Sequence, residues 1–345
     1  MRIAGAALAL ALLAMLASPL AAQVEAAPDR LSPPDFIAER IVDGRFEPGN
    51  FEYLRGFFPE ASKAEQARYA ELEAWLEACE ALGIKRMSAE LAALGVRMQA
   101  DEVPSLAGAA NECQQVVTGS AFKDFASYAE LAEAMREARL VFDTLVRSLA
   151  LAEQRTRPLE PDLGAELHHR TLSDQLLRGA YRWGFGEVTD ERTPKLDAKE
   201  RAAFIALLNS EILFVDYRNR EWLKQVVAEN GWPTISQVGK RGAFAAWLLA
   251  QHADMDPAFQ WQALRMMEPL LASGEASKRN YAYLYDRTTL KLEVKQRYAT
   301  QLRCEDGSWV LRPLEQPDRV NELRVEMELE PLADYLAGFP PSCGG

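Results

Sequence analysis

Three times along the chain a capping residue is followed, three positions on, by glutamate: Ser62 and Glu65, Ser127 and Glu130, Asp197 and Glu200. Each pair precedes apolar residues at helical spacing. A capping box satisfies free N–H groups at a helix start, so this punctuation commits the chain to long helices. The first predicted helix carries Tyr69, Leu72, Leu76 and Cys79 on one face and stops at Gly83. Ser88 opens a second, with Leu91, Leu94 and Met98 inward, and a third runs from Ser105 through Cys113. After Ser127 a long helix turns Leu131, Met135, Phe142, Leu145 and Leu149 inward and ends before Thr156-Arg157-Pro158.

Upstream, residues 26–59 are rich in Pro, Gly and aromatics, with one short helix expected over 35–43. Downstream, Arg157–Asp162 reads as a linker, because two prolines break the helical pattern there. Helices are then expected from Leu163 to about Trp183, and from Asp197 to Asn230 with a break or bend along that length. Further ones follow over Gly242–His252 and Pro257–Ala272, and onward from Ser277. The period shortens at Thr288–Gln296, and strands are expected there, over Gln296–Arg303 and over Ser308–Arg312, the last two joined by a turn at Glu305-Asp306-Gly307. A short helix at Val320–Met327 comes before the tail. The expected fold is mainly α, a helical N-terminal region plus a helical C-terminal domain with a small antiparallel β-ribbon near residues 288–312. The expected divisions are a signal peptide over 1–22, a helical region over 23–160, a domain over 163–337 and a tail over 338–345.

Residues 3–16 form an Ala/Leu-rich apolar run after Met1-Arg2, broken by Ser18-Pro19 and followed by small residues. An apolar stretch of about 14 residues is shorter than the roughly 20 of a spanning helix, so a secretory signal is expected, cleaved after Ala22 or Ala26. No later stretch is apolar for long enough to span a bilayer, and an exported protein, periplasmic or extracellular, is the expectation. Cys79, Cys113, Cys304 and Cys343 then fall in an oxidising compartment. The pairs Cys79–Cys113 and Cys304–Cys343 are favoured, because each stays within one half of the chain. A net charge of −12 with no basic cluster argues against nucleic acid and anionic lipid. The partner expected is an unknown small molecule or peptide.

Six separated signatures mark the second half: Asp174-Gln175 with Arg178, Asp216 through Asn219, Gly231-Trp232-Pro233, Gln251-His252-Ala253-Asp254 with Gln260, Tyr283 through Arg287, and Gln296 through Gln301. In this order and spacing, residues 163–337 resemble the bacterial domain-of-unknown-function family 6624. The resemblance implies a domain boundary and a residue set, and it implies no reaction. Two positions depart from the family pattern: Ala299 stands where the family has glycine, and Val294-Lys295 replaces a glycine-containing turn.

His252 is the candidate for chemistry, since an imidazole near neutrality serves as acid or base. Asp254, two residues on, is the expected orienter of its ring. Arg287 is the expected clamp for a carboxylate or phosphate, or else a partner of Asp174 or Asp216. Gln251 and Gln260 fall on inward faces of consecutive helices and either line a shared cavity or fix helix packing. Asp174, Gln175, Asp286, Gln296, Tyr298 and Gln301 complete the substrate-binding candidates. Asp174 and Arg178, at i and i+4, also fit a helix-surface pair, and Asp256-Pro257 fits an N-cap followed by the first helical residue.

No metal site or cofactor is expected. The histidines are His168, His169 and His252, the first two diverging by about 100° on a helix. Nucleophile-elbow and phosphate-loop motifs are absent. Three functional readings remain open: His-centred acid–base enzyme on a polar or anionic substrate, non-catalytic ligand- or peptide-binding module, and purely structural polar network.

Overall fold

A computed structural model describes residues 31–98, 103–159, 162–184 and 193–343. The expected signal at 1–22 lies outside the described residues. Ser32–Gly345 cluster as one compact unit, so elements before and after the expected linker share it. The order is α1 (Asp35–Ala38), β1 (Ile41–Val42), β2 (Arg45–Phe46), α2 (Lys63–Ala93), α3 (Asn111–Gln115), α4 (Tyr128–Thr156), α5 (Leu163–Gly184) and α6 (Ala198–Asn230). Then come α7 (Ile235–Gln251), α8 (Pro257–Met267), α9 (Lys278–Glu293), β3 (Leu302–Glu305), β4 (Ser308–Leu311), α10 (Val320–Glu326) and α11 (Leu332–Ala337). The protein is mainly helical, with two small antiparallel two-stranded sheets among the described residues. No helix among the described residues is long and apolar enough to cross a membrane.

The helix starts follow the caps. Ser62 with Glu65 and Asp197 with Glu200 bond reciprocally. At Ser127 half of the box forms, because the Glu130 carboxylate accepts from Ala126 N rather than from the cap itself. Thr234 and Gln237 make a further full box, at the start of α7.

Several boundaries differ from expectation, each for a physical reason. Near the start, the helix stops at Ala38 and a hairpin follows, because Asp43-Gly44 takes positive φ (51° and 76°), as a two-residue antiparallel turn requires. Gly83 does not end α2. A side-chain carbon there would meet Ala107 O at 2.6 Å, so the glycine admits the 107–109 backbone against the helix. The first and second predicted helices therefore merge as α2, which continues to Ala93, and of the third only Asn111–Gln115 is helical among the described residues. α6 runs its full 33 residues as one helix. Residues 288–293 are helical rather than extended. Thr288 through Leu292 are all buried, so the sequence there lacks a polar face to show the helical period. The Thr289 hydroxyl donates to Tyr285 O at 2.9 Å, which settles its β-branched side chain inside the helix. The ribbon is thus confined to β3 and β4, which turn at Asp306-Gly307.

Between α9 and β3 the chain wraps round two buried charges. Asp286 accepts from the backbone N–H groups of Arg297 (2.7 Å), Tyr298 (2.9 Å) and Thr300 (2.8 Å), and from the Thr300 hydroxyl (2.9 Å). Burial pushes its carboxyl up against those four donors. Arg324, fully buried, donates to Tyr298 O at 2.7 Å, Ala299 O at 3.2 Å and Glu330 O at 2.7 Å. Gln296 closes the loop by accepting from Gln301 N and donating to the Gln301 and Arg312 carbonyls. Val294 and Ala299 sit at φ 61° and 56°. These are the positions where glycine is the expected residue, and a non-glycine there costs on the order of 1 kcal/mol. The turns form regardless, since Asp286 and Arg324 fix the backbone on either side.

The main core joins α5, α6, α7, α8 and α9 through Leu167, Leu223, Ala246, Phe259, Leu264 and Leu284. A second cluster brings Met87 and Leu91 of α2 against Ala258 and Leu292. Both expected disulfides are present, Cys79–Cys113 and Cys304–Cys343. Removing the Asp286 carboxylate strands three buried N–H groups, so Asp286→Ala should lower stability by about 3 kcal/mol or more in urea unfolding. A midpoint equal to wild type would show that the loop does not depend on it.

Candidate functional site

The site is assembled where the ends and faces of five helices meet. On α5, Asp174 and Arg178 share one face at i and i+4. α6 contributes Asp216. α7 ends at Gln251, with His252 as its C-cap residue, and α8 begins at Pro257 behind an Asp256 cap whose Oδ1 accepts Phe259 N at 2.9 Å. α9 presents Arg287 and Lys291, again one turn apart.

His252 Nδ1 lies 2.7 Å from Asp174 Oδ1. A carboxylate oxygen only accepts, so Nδ1 carries a proton, and in the neutral ring it is Nε2 that presents the lone pair. Nε2 makes no hydrogen bond among the described residues, and the side chain keeps 15% of its surface. Asp174 itself is fully buried. Its Oδ1 also accepts from Arg178 Nη1 at 2.6 Å, and its Oδ2 from Gln175 Nε2 at 2.6 Å. Burial works against its charge, yet the hydrogen bond from His252 and the charges of His252 and Arg178 leave its carboxyl below the ordinary value.

Arg178 also grips Asp216 with Nη2, at 3.1 Å and 2.8 Å to the two oxygens. Burial dominates at Asp216 and, despite Arg178, pushes its carboxyl up to about 6. Two carboxylates beside one imidazole are therefore driven in opposite directions, an arrangement that recurs where acid and base roles are divided.

The expectation that Asp254 orients the ring is corrected: Asp174 holds that place. Asp254 is drawn the other way by two cations. Arg287 Nε donates to Asp254 Oδ1 at 2.8 Å and Nη2 to Oδ2, while Lys291 Nζ reaches Oδ1 at 2.5 Å. Burial opposes the Asp254 charge, but Lys291 and Arg287 more than offset it and hold the carboxyl well below the carboxylate range. Arg287 thus pairs with Asp254 rather than with Asp174 or Asp216. Its Nη1 has no partner among the described residues, and the side chain is 32% exposed.

The glutamines divide. Gln260 ties helix ends together: its Nε2 donates to Ala250 O (3.2 Å) and Gln251 O (3.1 Å), and its Oε1 accepts from Lys291 (3.0 Å). The Gln251 side chain is buried, with Oε1 unpaired. Gln296, Tyr298, Gln301 and Asp286 belong to the loop around Asp286, and Gln301 Nε2 bonds Thr300. None of these four has a hydrogen bond or ion pair to His252 or Asp254. Three members of the ionic cluster had no site role in the sequence reading. Arg178 and Asp216 read as packing partners, and Lys291 fell in the stretch read as a strand. Helical spacing of Leu284, Arg287 and Lys291 at i, i+3 and i+7 is the signal that finds the last.

Asp174, Asp216 and His252 place ligating atoms within 4.8 Å of one another, a metal-like grouping that the histidine pattern did not anticipate. Arg178, however, already bridges both carboxylates and supplies the positive charge that a cation would bring. The donors do not stand free for a metal.

Fold and site together define a mainly helical protein with a buried, charge-balanced cluster around one histidine. Residues 200–341 match the model of a family of unknown function, DUF6624, in accord with the resemblance carried by the signatures. The matched span includes His252, Asp216, Asp254, Arg287 and Lys291, while Asp174 and Arg178 precede it. No curated protein and no solved structure matches the chain.

The raised Asp216 carboxyl has a consequence for stability. A folded pKa of about 6 lies above the unfolded value near 3.9, so its favourable contribution is full below about pH 4 and is lost as pH rises through about 6. The stability of wild type minus that of Asp216→Asn should fall by roughly 2–3 kcal/mol between pH 4 and pH 7.5 in urea titrations. A difference flat across that range would place the Asp216 titration elsewhere.

Proposed function

We propose that this is an exported enzyme that moves a proton on a small polar or anionic substrate, with His252 as the acid–base group. The observation that carries the reading is the Asp174–His252 bond, which leaves Nε2 without a partner among the described residues. Asp174 fixes the ring and stabilises the imidazolium as the proton arrives. Arg287 holds a substrate anion through Nη1 while Asp254 and Lys291 keep its guanidinium in place. Export is supported by the two disulfides and by the apolar run at residues 3–16. The competing reading is a polar network that only holds helices together, and the mutual pairing of Arg178, Asp216, Asp254, Arg287 and Lys291 favours it.

A test separates the two. Purified wild type, His252→Gln and Asp174→Asn are incubated with a pooled extract of polar metabolites and followed by mass spectrometry. Wild type should convert at least one anionic component, and each variant should do so roughly 10²- to 10⁴-fold more slowly. The His252→Gln melting temperature should stay close to wild type. Retention of a component without conversion would establish a binding module instead. A His252→Gln protein that no longer folds would establish the structural role.

A further inference from the structure

On the flank of α7 away from the ionic cluster lies a cavity of about 390 Å³, lined by no residue of that cluster. Its wall is aromatic and aliphatic: Trp232, Phe244, Trp247 and Leu271. Phe244 is 47% exposed and packs tilted against Trp247 with ring centroids 5.2 Å apart, so a large apolar surface of the lining is left open to solvent. The rim has the opposite character. Lys240 and Lys278 both border the cavity, in a chain whose net charge is −12. Lys240 has no ion-pair or hydrogen-bond partner among the described residues. Glu328, the carboxylate at this rim, lies 3.4 Å from Lys278 and offsets that charge alone.

Two helix starts converge on the same rim. Gly239, at φ 69° and ψ 169°, interrupts α7, so the helix restarts at Lys240. α9 starts at Lys278, where the Ser277 hydroxyl takes the Asn280 N–H at 3.3 Å. Each helix start carries a partial positive charge, and both starts border the cavity through Lys240, Ser277 and Lys278. An apolar wall with converging positive groups at one end selects a ligand with an apolar body and an anionic head.

We propose that this cavity binds a small amphipathic carboxylate, with its chain against Trp232 and Trp247 and its head at Lys240 and the two helix starts. The site stands apart from the His252 cluster and does not depend on the chemistry proposed there. Decanoate, decanol and decylamine serve as probes, each titrated calorimetrically into the full chain, with tryptophan fluorescence recorded in parallel. Decanoate should bind saturably at one site and change the fluorescence, and decanol should bind at least about tenfold more weakly. Lys240→Glu, at an exposed position, should weaken decanoate about tenfold or more without moving the melting temperature. Ala243→Trp, which fills the cavity, should abolish binding. Decanol or decylamine binding as tightly as decanoate overturns the proposal. So does unchanged affinity in Lys240→Glu, or the absence of saturable binding. If Ala243→Trp fails to fold, Lys240→Gln takes its place, and an affinity equal to wild type overturns the proposal equally.

Discussion

Asp254 is the point on which the middle of the molecule turns. It sits in the short connection between α7 and α8, yet it is gripped by two cations from α9, and Gln260 joins the same knot from α8. Two positive charges one turn apart on a mostly buried helix face are tolerable only with a negative charge between them. Satisfying that demand draws the α7 end toward α9, and His252, two residues before Asp254, is placed as a result. Its Nδ1 then meets Asp174 on α5, which already holds Arg178, which in turn holds Asp216 on α6. One electrostatic requirement thus propagates through four helices. Three carboxylates answer three cations, and the imidazole is the member with an open edge.

Much of this frame can be read from residues in order. Helix starts at Lys63, Tyr128, Ala198 and Lys278 follow from local capping chemistry, which needs only three or four neighbours to be legible. Asp256-Pro257 works as the cap it resembles. The hairpin at Asp306-Gly307 and both disulfides were legible for similar reasons, the bridges because their separations of 34 and 39 residues keep each within one half. What misled was burial. Gly83 looks like a terminator until the 107–109 backbone is laid against it, and Thr288–Leu292 looks like a strand until every side of α9 is covered. Both errors share a cause: a position's meaning came from a segment distant in sequence.

The site shows the same division. His252 stood out by residue type, and Asp174, Arg178 and Asp216 stood out as signatures. Their pairing was not legible, because Asp254 is two residues from the ring in sequence whereas Asp174 is 78 residues away and reaches it. Sequence proximity suggested an orienter that tertiary structure commits to another task. Asp286 and Arg287 are adjacent yet point about 100° apart on the helix, one into the loop clamp and the other toward Asp254.

The placement of the two disulfides divides the molecule by what governs its rigidity. One bridge ties α2 to α3 near the start, and the other ties the β3 strand to Cys343 near the end. No covalent link crosses the stretch from Asp174 to Lys291. The ends therefore answer to the thiol–disulfide balance of their surroundings, while the histidine cluster is held by charge and packing alone. Its geometry is a matter of protons far more than of salt or of redox conditions, since buried pairs are little screened.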